Sequence, residues 1–393
     1  MRDNLKVTQA PHPAFFLWLF AAMPVAAGTP MLRPATAVVA NGVGVDLGSY
    51  AIPCVADWNG DGRHDLLVGY RTGDKVAVFL NVGSDSVPEF GQSSLVQADG
   101  ADIHVPGSGC GAPAPWVGDY DADGRCDLLV GDGSNGTIHF FRNTNPIGQP
   151  LLAADDPLRM GAALITVSSR ATPCLADWDT DGLIDLLCGD GSGNVSFFKN
   201  VGTAQVPSYA TRVLLQAGGA ALNLGMRSVA RVCDWDGDGL QDLVGSSTTG
   251  VYWCRNTGTR AAPVLQLPVA LEVPKADGSG TLTPIQTGGR MRLELADWDR
   301  DGTLDLILGN LDGTVVRYAG YPFRVTRIEQ GSPGEMTLEW ASSRLLKYTV
   351  LTGPSPDQIT TPLVTGLASG GDITTWTCPM SASRQFYRIQ VGP

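Results

Sequence analysis

Five nine-residue stretches in this chain place oxygen-bearing side chains at a spacing that suits a calcium ion. Positions 1, 3, 5 and 9 of each stretch carry aspartate, apart from one asparagine, and position 6 is always glycine. Side-chain oxygens at 1, 3 and 5, a backbone carbonyl at 7 and a sharp turn at the glycine are the elements of a calcium-binding loop. With position 9 added, the predicted ligands are Asp57, Asn59, Asp61, Arg63, Asp65, Asp119, Asp121, Asp123, Arg125, Asp127, Asp177, Asp179, Asp181, Leu183, Asp185, Asp234, Asp236, Asp238, Leu240, Asp242, Asp297, Asp299, Asp301, Thr303 and Asp305.

These loops differ from an EF-hand in the way they end. An EF-hand closes with glutamate at position 12 on a helix. Each loop here closes with aspartate at position 9 and runs into an apolar segment that ends in glycine, such as Leu128–Gly131. Such segments are typical of buried strands, so each loop is predicted to connect two strands. A surface Asp-Gly turn is the alternative for a single copy, and five copies in register argue against it.

Negative charge is concentrated in the loops. Nineteen of the 39 acidic residues lie there, and the formal net charge of the chain is −12. Clustered carboxylates repel one another, and a bound divalent cation removes that repulsion. We therefore expect about five Ca²⁺ ions, one in each loop. The acidic balance, without a basic patch that carries interleaved aromatic residues, argues against a nucleic-acid partner.

The loops also mark a long internal repeat. Their first aspartates lie 62, 58, 57 and 63 residues apart, which indicates a repeat architecture. After the buried strand comes a second strand that ends in asparagine in four of the units, for example Ile138–Asn143, and then a proline that opens a further segment. Three or four short strands per unit, with glycine-rich turns and no helical periodicity, predict a propeller blade. The predicted fold is all-β, a five-bladed β-propeller with calcium loops.

The position of the first proline segment predicts how the ring closes. Pro30 lies 27 residues before Asp57, and the same offset separates the proline of two later segments from its loop. The first segment has no blade before it, and the last blade lacks a clear segment after it. Residues from about Pro30 are therefore expected to supply the outer strand of the fifth blade, which removes an open sheet edge. The segment at Pro322 is the alternative for that role.

The repeats resemble the FG-GAP and VCBS repeats of β-propellers, a family that includes the calcium-loop blades of integrin α-subunits. The resemblance covers roughly residues 30–321 and rests on the pattern D-x-[DN]-x-D-G-x-x-D-L in all five units. It implies a calcium ion in each blade, with Asp57, Asn59, Asp61, Asp65 and their counterparts as ligands. The integrin propeller has more than five blades, so its ligand-binding positions are not transferred. Such repeats occur in adhesion proteins, lectin-like binders and some polysaccharide-degrading enzymes.

The N-terminus predicts export. Arg2 and Lys6 precede the apolar stretch Ala14–Ala22, and Val25–Ala27 fits a small-residue cleavage site. This is the pattern of a secretory signal peptide, and the apolar stretch is short for a membrane span. A secreted or cell-surface protein without a transmembrane span after cleavage is expected. A retained membrane anchor is the alternative.

The last part of the chain has a different character. Calcium loops stop at about residue 322, and segments such as Met336–Trp340 and Tyr348–Leu351 alternate at period two, as half-buried strands do. We expect a small C-terminal β-sandwich-like domain, similar to fibronectin type III-like modules. It is interpreted as a spacer or sorting element, with a binding domain as the alternative. The predicted division is a signal peptide at 1–27, the propeller at 28–321 and the C-terminal domain at 322–393.

An aromatic residue occupies position 2 of every loop. Two functions are open for this set: packing between neighbouring blades, or a ring of exposed faces for stacking on sugars. Packing is the simpler interpretation, and solvent exposure decides between the two. The residues are Trp58, Tyr120, Trp178, Trp235 and Trp298.

The eight cysteines do not form an evident disulfide framework. Those at repeated positions, such as Cys54 and Cys174, are expected about one blade apart or more, which is too far for a bridge. Most are interpreted as small buried apolar residues.

No catalytic residues are predicted. None of the histidines occurs at metal-ligand spacing with another, and no nucleophile–histidine arrangement is evident. A glycosidase would need two carboxylates about 5–9.5 Å apart. Asp46, Glu89, Asp102 and Glu294 lie outside the loops, but their spacing does not indicate that they converge.

These observations predict a secreted calcium-binding β-propeller that acts as a binding or adhesion module, with an extracellular glycan or protein as its ligand. Two alternatives from other classes stay open. One is a carbohydrate-active enzyme, a glycosidase or polysaccharide lyase, on the same scaffold, and the other is a purely structural surface protein.

Overall fold

The computed structural model describes residues 32–84, 86–105, 111–275, 281–286, 289–320 and six strands between 325 and 391. Every regular element in these residues is a β-strand. The described residues therefore include no helix that is long and apolar enough to cross a membrane. The predicted signal peptide lies outside the described residues.

The strands of the repeats are short and are separated by turns. In chain order they are β1 (Thr36–Ala37), β2 (Val39–Ala40), β3 (Val43–Gly44), β4 (Ile52–Ala56), β5 (Asp65–Tyr70), β6 (Lys75–Phe79), β7 (Ser94–Leu95), β8 (Gln97–Ala98), β9 (Ala101–Asp102), β10 (Ala114–Gly118), β11 (Asp127–Gly131), β12 (Ile138–Phe141), β13 (Arg159–Met160), β14 (Ala163–Leu164), β15 (Thr172–Ala176), β16 (Asp185–Gly189), β17 (Val195–Phe198), β18 (Val213–Leu214), β19 (Gln216–Ala217), β20 (Ala220–Ala221), β21 (Val229–Cys233), β22 (Asp242–Ser246), β23 (Val251–Cys254), β24 (Val269–Ala270), β25 (Glu272–Pro274), β26 (Leu282–Pro284), β27 (Arg292–Ala296), β28 (Asp305–Gly309) and β29 (Val315–Tyr318).

Five antiparallel sheets share one strand order and form the blades. From the inner to the outer strand, blade 1 is β4-β5-β6-β7, blade 2 is β10-β11-β12, blade 3 is β15-β16-β17-β18, blade 4 is β21-β22-β23-β24 and blade 5 is β27-β28-β29-β1. The inner strands β4, β10, β15, β21 and β27 contact one another in that order, and β27 contacts β4 again. This closed cycle is a five-bladed β-propeller, as predicted from the repeats.

The ring closes through its N-terminal segment. Thr36 pairs with Arg317 and Ala37 with Val316, so β1 is the outer strand of blade 5. An antiparallel bridge between Leu32 and Gly320 extends the contact. The predicted closure is confirmed, because a strand from the start of the repeats covers the edge that β29 would otherwise leave open.

Glycines at the ends of the second strands let the blades approach closely. A Cβ added to Gly131 would lie 1.9 Å from the carbonyl oxygen of Ala171 in the next blade. Gly69, Gly189 and Gly309 meet a neighbouring backbone carbonyl in the same way. The glycine after each apolar run is therefore a packing requirement of the ring. Blade 4 differs.

In blade 4 a serine takes this place. Ser246, at the end of β22, donates a hydrogen bond of 3.0 Å from its Oγ to the carbonyl oxygen of Met291 in blade 5. The glycine that ends the apolar run of this blade, Gly245, lies one residue earlier and pairs with Ala230. A hydroxyl thus bonds to the carbonyl whose counterpart faces a glycine in the other blades.

Small hairpins join consecutive blades, and the sequence pattern did not reveal them. They are β2-β3, β8-β9, β13-β14, β19-β20 and β25-β26. The proline segments form single antiparallel bridges instead of strands, for example between Phe90 and the closing residue Asn81. Two-residue strands carry little periodicity, so a pattern search finds them only with difficulty.

Apolar clusters fill the spaces between the blades. One of them joins Trp58 and Leu67 of blade 1 to Val117 and Leu128 of blade 2. The cysteines at 54, 126, 174, 188, 233 and 254 are free thiols, four of them buried. Their predicted role as small apolar residues is consistent with this placement.

The C-terminal strands form two further sheets. They are β30 (Val325–Gln330), β31 (Glu335–Ala341), β32 (Lys347–Gly353), β33 (Thr361–Ala368), β34 (Ile373–Pro379) and β35 (Phe386–Val391). The sheet orders are β30-β31-β34 and β33-β32-β35. Trp340 of the first sheet meets Tyr348 of the second edge to face, with ring centroids 5.6 Å apart. The two sheets therefore share an apolar cluster, while the likeness to fibronectin type III modules stays a prediction.

Candidate metal centres

The five acidic loops share one backbone shape. The glycine at position 6 has a positive φ in every loop, between 84° and 90°. Position 4 is also left-handed in every loop, even where it is not glycine, as at Ala122, Thr180 and Arg300. Two left-handed residues in six make a tight turn that directs side chains inward. The predicted role of the glycine at position 6 matches this geometry.

Side chains at positions 1 and 5 hold this turn in place. In blade 2, Asp119 accepts hydrogen bonds from the backbone N–H groups of Asp123 and Gly124 at 3.0 and 2.9 Å. Asp123 in turn accepts one from the N–H of Arg125, at position 7, at 3.0 Å. The bond from position 6 to position 1 and the bond from position 7 to position 5 recur in all five loops. The loop is thus shaped by its own carboxylates.

The aspartate at position 9 connects three segments of the blade. Asp127 is fully buried. Its two oxygens accept the backbone N–H of Tyr120 at 3.2 Å and of Asn143 at 2.7 Å. Desolvation by burial raises its pKa to about 6, against these hydrogen bonds, which lower it. The same burial raises the pKa to about 6 at Asp65, Asp185, Asp242 and Asp305.

The asparagine that ends the third strand continues this connection. Asn143 gives its backbone N–H to Asp127 and uses its side-chain oxygen to accept the N–H groups of Asn145 and Leu151 at 3.0 and 3.1 Å. Asn81, Asn200 and Asn256 do the same in their blades. The recurrence of this residue was visible in the sequence, but its role was missed. It links the acidic loop to the proline segment.

Carboxylates converge in four loops. Within each group one oxygen from every residue lies within 4.8 Å of the others. The groups combine positions 1, 3 and 9 in blades 2 to 4 and positions 1, 3 and 5 in blade 5: Asp119, Asp121 and Asp127; Asp177, Asp179 and Asp185; Asp234, Asp236 and Asp242; Asp297, Asp299 and Asp301. In blade 1 the amide of Asn59 replaces the second carboxylate and donates to Asp61 at 2.9 Å. That loop carries the least charge.

Several of these oxygens are buried without a hydrogen-bond partner among the described residues. They are Oδ1 of Asp121, Asp179, Asp297 and Asp299. A buried carboxylate oxygen that accepts no hydrogen bond is costly unless a cation compensates it. Three of the four belong to position 3 and one to position 1. The donor set is all oxygen, which suits a hard divalent cation such as Ca²⁺. The residues present therefore fit the ion that the spacing predicted.

Basic side chains reach the same carboxylates from the third strand. Arg142, Lys199 and Arg255 come immediately before the closing asparagine in blades 2, 3 and 4. Arg255 contacts Asp236 at 2.6 Å and Asp238 at 2.9 Å. Arg142 pairs with position 3 of its loop, and Lys199 pairs with positions 3 and 5 of its own. A basic residue in register across three units was the signal that sequence reasoning overlooked.

The aromatic residues at position 2 are packing elements. All five are at most 8% exposed. Trp298 meets Phe90 at a centroid distance of 5.2 Å, and Tyr120 meets Phe140 at 4.6 Å. The interpretation as a ring of exposed stacking faces is wrong, because each side chain lies inside a cluster of blade residues. The interpretation as packing between blades is confirmed.

The acidic residues outside the loops have separate partners. Asp46 caps the backbone N–H of Gly48, and Asp102 pairs with Lys75 at 2.8 Å. Glu294 lies on inner strand β27, where both its oxygens accept Nε of Arg231 at 3.1 Å. The three carboxylates therefore have different partners, and none of the described contacts brings two of them together.

Comparison with known proteins agrees with the repeat unit. A model of the FG-GAP-like repeat family matches residues 234–308, which include the acidic loops of blades 4 and 5. The chain contains FG-GAP-like repeats. Integrin alpha-4 from Xenopus laevis is 34% identical over 103 residues. That match spans 24% of this chain and 9% of the integrin, so it concerns a small part of the relative.

Solved structures show only distant likeness. An Agrocybe aegerita lectin that recognises non-reducing terminal N-acetylglucosamine is 16% identical, with 86% of each chain covered and a TM-score of 0.34. AofleA from Arthrobotrys oligospora is 10% identical, covering 92% of this chain and 93% of its own, with a TM-score of 0.35. A Photorhabdus luminescens Tc holotoxin pore is 13% identical over 79% of this chain and 16% of that one, with a TM-score of 0.35. Scores this low support no argument about function.

Proposed function

We propose that this protein is an exported calcium-binding β-propeller that acts as a binding or adhesion module for an extracellular glycan or protein. The observation that supports the calcium sites most directly is the set of unpartnered, buried carboxylate oxygens in the loops of blades 2, 3 and 5, where carboxylates converge. Without a divalent cation these groups repel one another and lack solvation. With one bound, they become ligands.

Each ion would be held by the side chains at positions 1, 3 and 5, the carbonyl at position 7 and the free lone pairs of position 9. In blade 3 these are Asp177, Asp179, Asp181, Leu183 and Asp185. Calcium would supply charge neutralisation and would join the end of the inner strand to the start of the second strand. Lys199 makes contacts with positions 3 and 5, so the ion would replace an ammonium group as their counter-charge.

The calcium sites would act as staples in a scaffold. All five repeats place acidic residues on the same connection between strands, with Asn59 as the one amide, and position 9 links that connection to the rest of the blade. A rigid ring that carries variable loops is suited to binding. The export predicted from the N-terminus fits this role, because weak calcium modules fill outside cells, where calcium is abundant. The similarity to part of an integrin is in line with adhesion.

A glycan array tests the binding role. The purified, calcium-loaded full chain is applied alongside a sample in chelator, and calcium-dependent retention on a defined set of glycans is the expected result. Pull-down with extracellular matrix proteins forms the second arm, for a protein ligand. Turnover in a parallel screen with polysaccharides would contradict a binding-only role and support a carbohydrate-active enzyme. Native mass spectrometry of the same sample tests the calcium sites separately, and we expect about five ions.

A further inference from the structure

One end of the propeller axis carries an unusual set of residues. Two positions before the first paired residue of each inner strand, the five blades place Tyr50, Ala112, Arg170, Arg227 and Arg290. All but the alanine have a positive φ, between 49° and 64°. Left-handed backbone is uncommon for such large side chains and marks sites worth a functional explanation. Each acidic loop follows the other end of its inner strand, so these residues lie away from the calcium loops.

A fourth arginine joins them from the first position of β27. Arg292 is 4% exposed and donates a hydrogen bond to the carbonyl oxygen of Arg227. Arg227 is 8% exposed, and its Nη1 is buried without a hydrogen-bond partner. In the described part of the chain, neither of them nor Arg290 forms an ion pair with a carboxylate. We call Arg170, Arg227, Arg290 and Arg292 the axial arginine cluster.

The cluster concentrates positive charge in an acidic protein. Burial, and then the charges of Arg227, Arg170 and Arg290, lower the pKa of Arg292 to about 9. All the charges that act on Arg292 in this way come from arginines. A buried cation without a carboxylate partner, as at Arg227 and Arg292, is costly, because desolvation and like-charge repulsion both oppose it. An anion bound among them would remove both costs.

Two acidic side chains lie near this end of the ring, and one oxygen of each accepts hydrogen bonds within its own blade. Asp132 and Asp190 are buried beside this end of the ring, where their backbones bond to Ala171 and Ser228. Oδ1 of Asp190 accepts the N–H groups of Ser192 and Asn194 at 2.8 and 3.0 Å. Oδ1 of Asp132 accepts the hydroxyl of Ser134 at 2.7 Å. These carboxylates shape the turns of their own blades.

A narrow recess opens at the cluster. It is shallow and is lined by residues that include Arg170, Arg292, Ile52, Ala112 and Thr172. Beside it, the guanidinium of Arg290 lies 4.9 Å from the centre of the Tyr50 ring, and Arg71 lies 5.2 Å from the same ring. Arg170 and Arg290 are half-buried, so the cluster reaches solvent at this end of the ring.

We propose that the axial arginine cluster binds a single oxyanionic group, a carboxylate or a sulfate, of an extracellular ligand. The planar guanidinium forks of Arg227, Arg290 and Arg292 match such groups in geometry as well as charge. Because the cluster lies at the end of the inner strands away from the loops, the anion site is separate from the calcium sites. The assignment rests on the binding role proposed above and names the chemistry of the ligand.

Titration of simple anions tests this site. Sulfate, glucuronate and chloride are titrated into the calcium-loaded full chain at constant ionic strength, with calorimetry and melting temperature as readouts. We expect sulfate or glucuronate to bind at one site and to raise the melting temperature, while chloride and neutral glucose do neither. Sulfate and glucuronate distinguish the two sources of the oxyanion. A wild-type protein that responds to none of them beyond chloride would overturn the proposal.

Variants separate binding from a structural role. Arg292→Gln should weaken the anion about tenfold or more, the loss typical of a charged hydrogen bond. It should also raise the melting temperature in anion-free buffer, since it removes a buried, unpaired charge. Arg212→Gln, at an exposed position outside the cluster, is the matched control and should change neither readout. If Arg292→Gln does not fold, Arg290→Gln provides the same comparison at a half-buried position of the cluster.

Two outcomes contradict the proposal directly. One is a cluster variant that keeps full anion affinity, and the other is a cluster variant that only lowers the melting temperature, as a purely structural arginine would. The calcium count by native mass spectrometry should stay unchanged in both cluster variants. If no anion binds but the calcium count is intact, the anion site is wrong and the proposed calcium-binding module is unaffected. If wild-type protein binds no calcium, the proposed function itself is wrong.

Discussion

Asn143 donates its backbone N–H to Oδ1 of Asp127 at 2.7 Å, and the two residues belong to different strands of blade 2. Oδ2 of the same carboxylate accepts the N–H of Tyr120 at the start of the loop. One buried side chain thus joins the loop entrance, the second strand and the end of the third. The equivalent aspartate of every blade makes the same two contacts. The loop therefore has a position that holds the backbone together, position 9, besides the other positions that are predicted to bind the metal.

Calcium removal should lower stability strongly. If free calcium is about ten times Kd, each site adds about 1.4 kcal/mol, and five independent sites add about 7 kcal/mol. That is comparable to the net stability of a whole domain. Calorimetric melting in calcium and in chelator should differ by many degrees. Magnesium should restore little, because it gives up its water reluctantly. Superimposable melting curves with and without chelator would remove the calcium claim.

Position 9 and position 3 should respond differently to substitution. Asp127→Ala leaves two buried N–H groups without acceptors and should cost about 3 kcal/mol even in chelator. Asp121→Ala removes a buried carboxylate whose Oδ1 has no hydrogen-bond partner, together with its pairing to the partly exposed Arg142. In chelator it should therefore leave the free energy of unfolding nearly unchanged or raise it slightly. Denaturant unfolding measures both. In calcium, native mass spectrometry should show one ion fewer for Asp121→Ala. Equal costs in chelator would show that the two positions share one role.

Close packing of the blades can be tested at a single glycine. Gly131→Ala places a methyl group 1.9 Å from the carbonyl oxygen of Ala171, and the backbone shift needed to relieve this contact should cost about 3 kcal/mol. Gly44→Ala is the matched control, because no atom lies within 4 Å of its added Cβ. Urea unfolding of both variants in calcium gives the comparison. A cost at Gly131 no greater than at Gly44 would mean that the blades can separate freely.

Ring closure predicts an asymmetric effect of truncation. Removing residues 30–45 deletes the strand Thr36–Ala37 and exposes the edge of Val315–Tyr318, which invites pairing with other chains. Size-exclusion chromatography at one protein concentration should show dimers or aggregates. Removal of residues 331–393 serves as the comparison, and we expect it to leave the ring monomeric. A monomeric, calcium-loaded protein without residues 30–45 would show that the ring tolerates an open edge.

Some features of the molecule follow from local sequence alone. The spacing of Asp119, Asp121, Asp123 and Gly124 specifies a loop whose turn, caps and ligand directions arise within nine residues, so no distant contact is needed to predict it. The blade count follows for the same reason, since each repeat encodes one unit. The proline segment near residue 30 also revealed closure, because its offset from the first loop matches later units.

Other features arise only when the blades meet. The sequence cannot show that Gly131 faces the carbonyl of Ala171, or that the aromatic at position 2 is buried, because both depend on the distance between neighbouring blades. The axial arginine cluster is the clearest case. Arg227 and Arg292 are 65 residues apart in the chain, and only the packing of blade 4 against blade 5 brings them into contact.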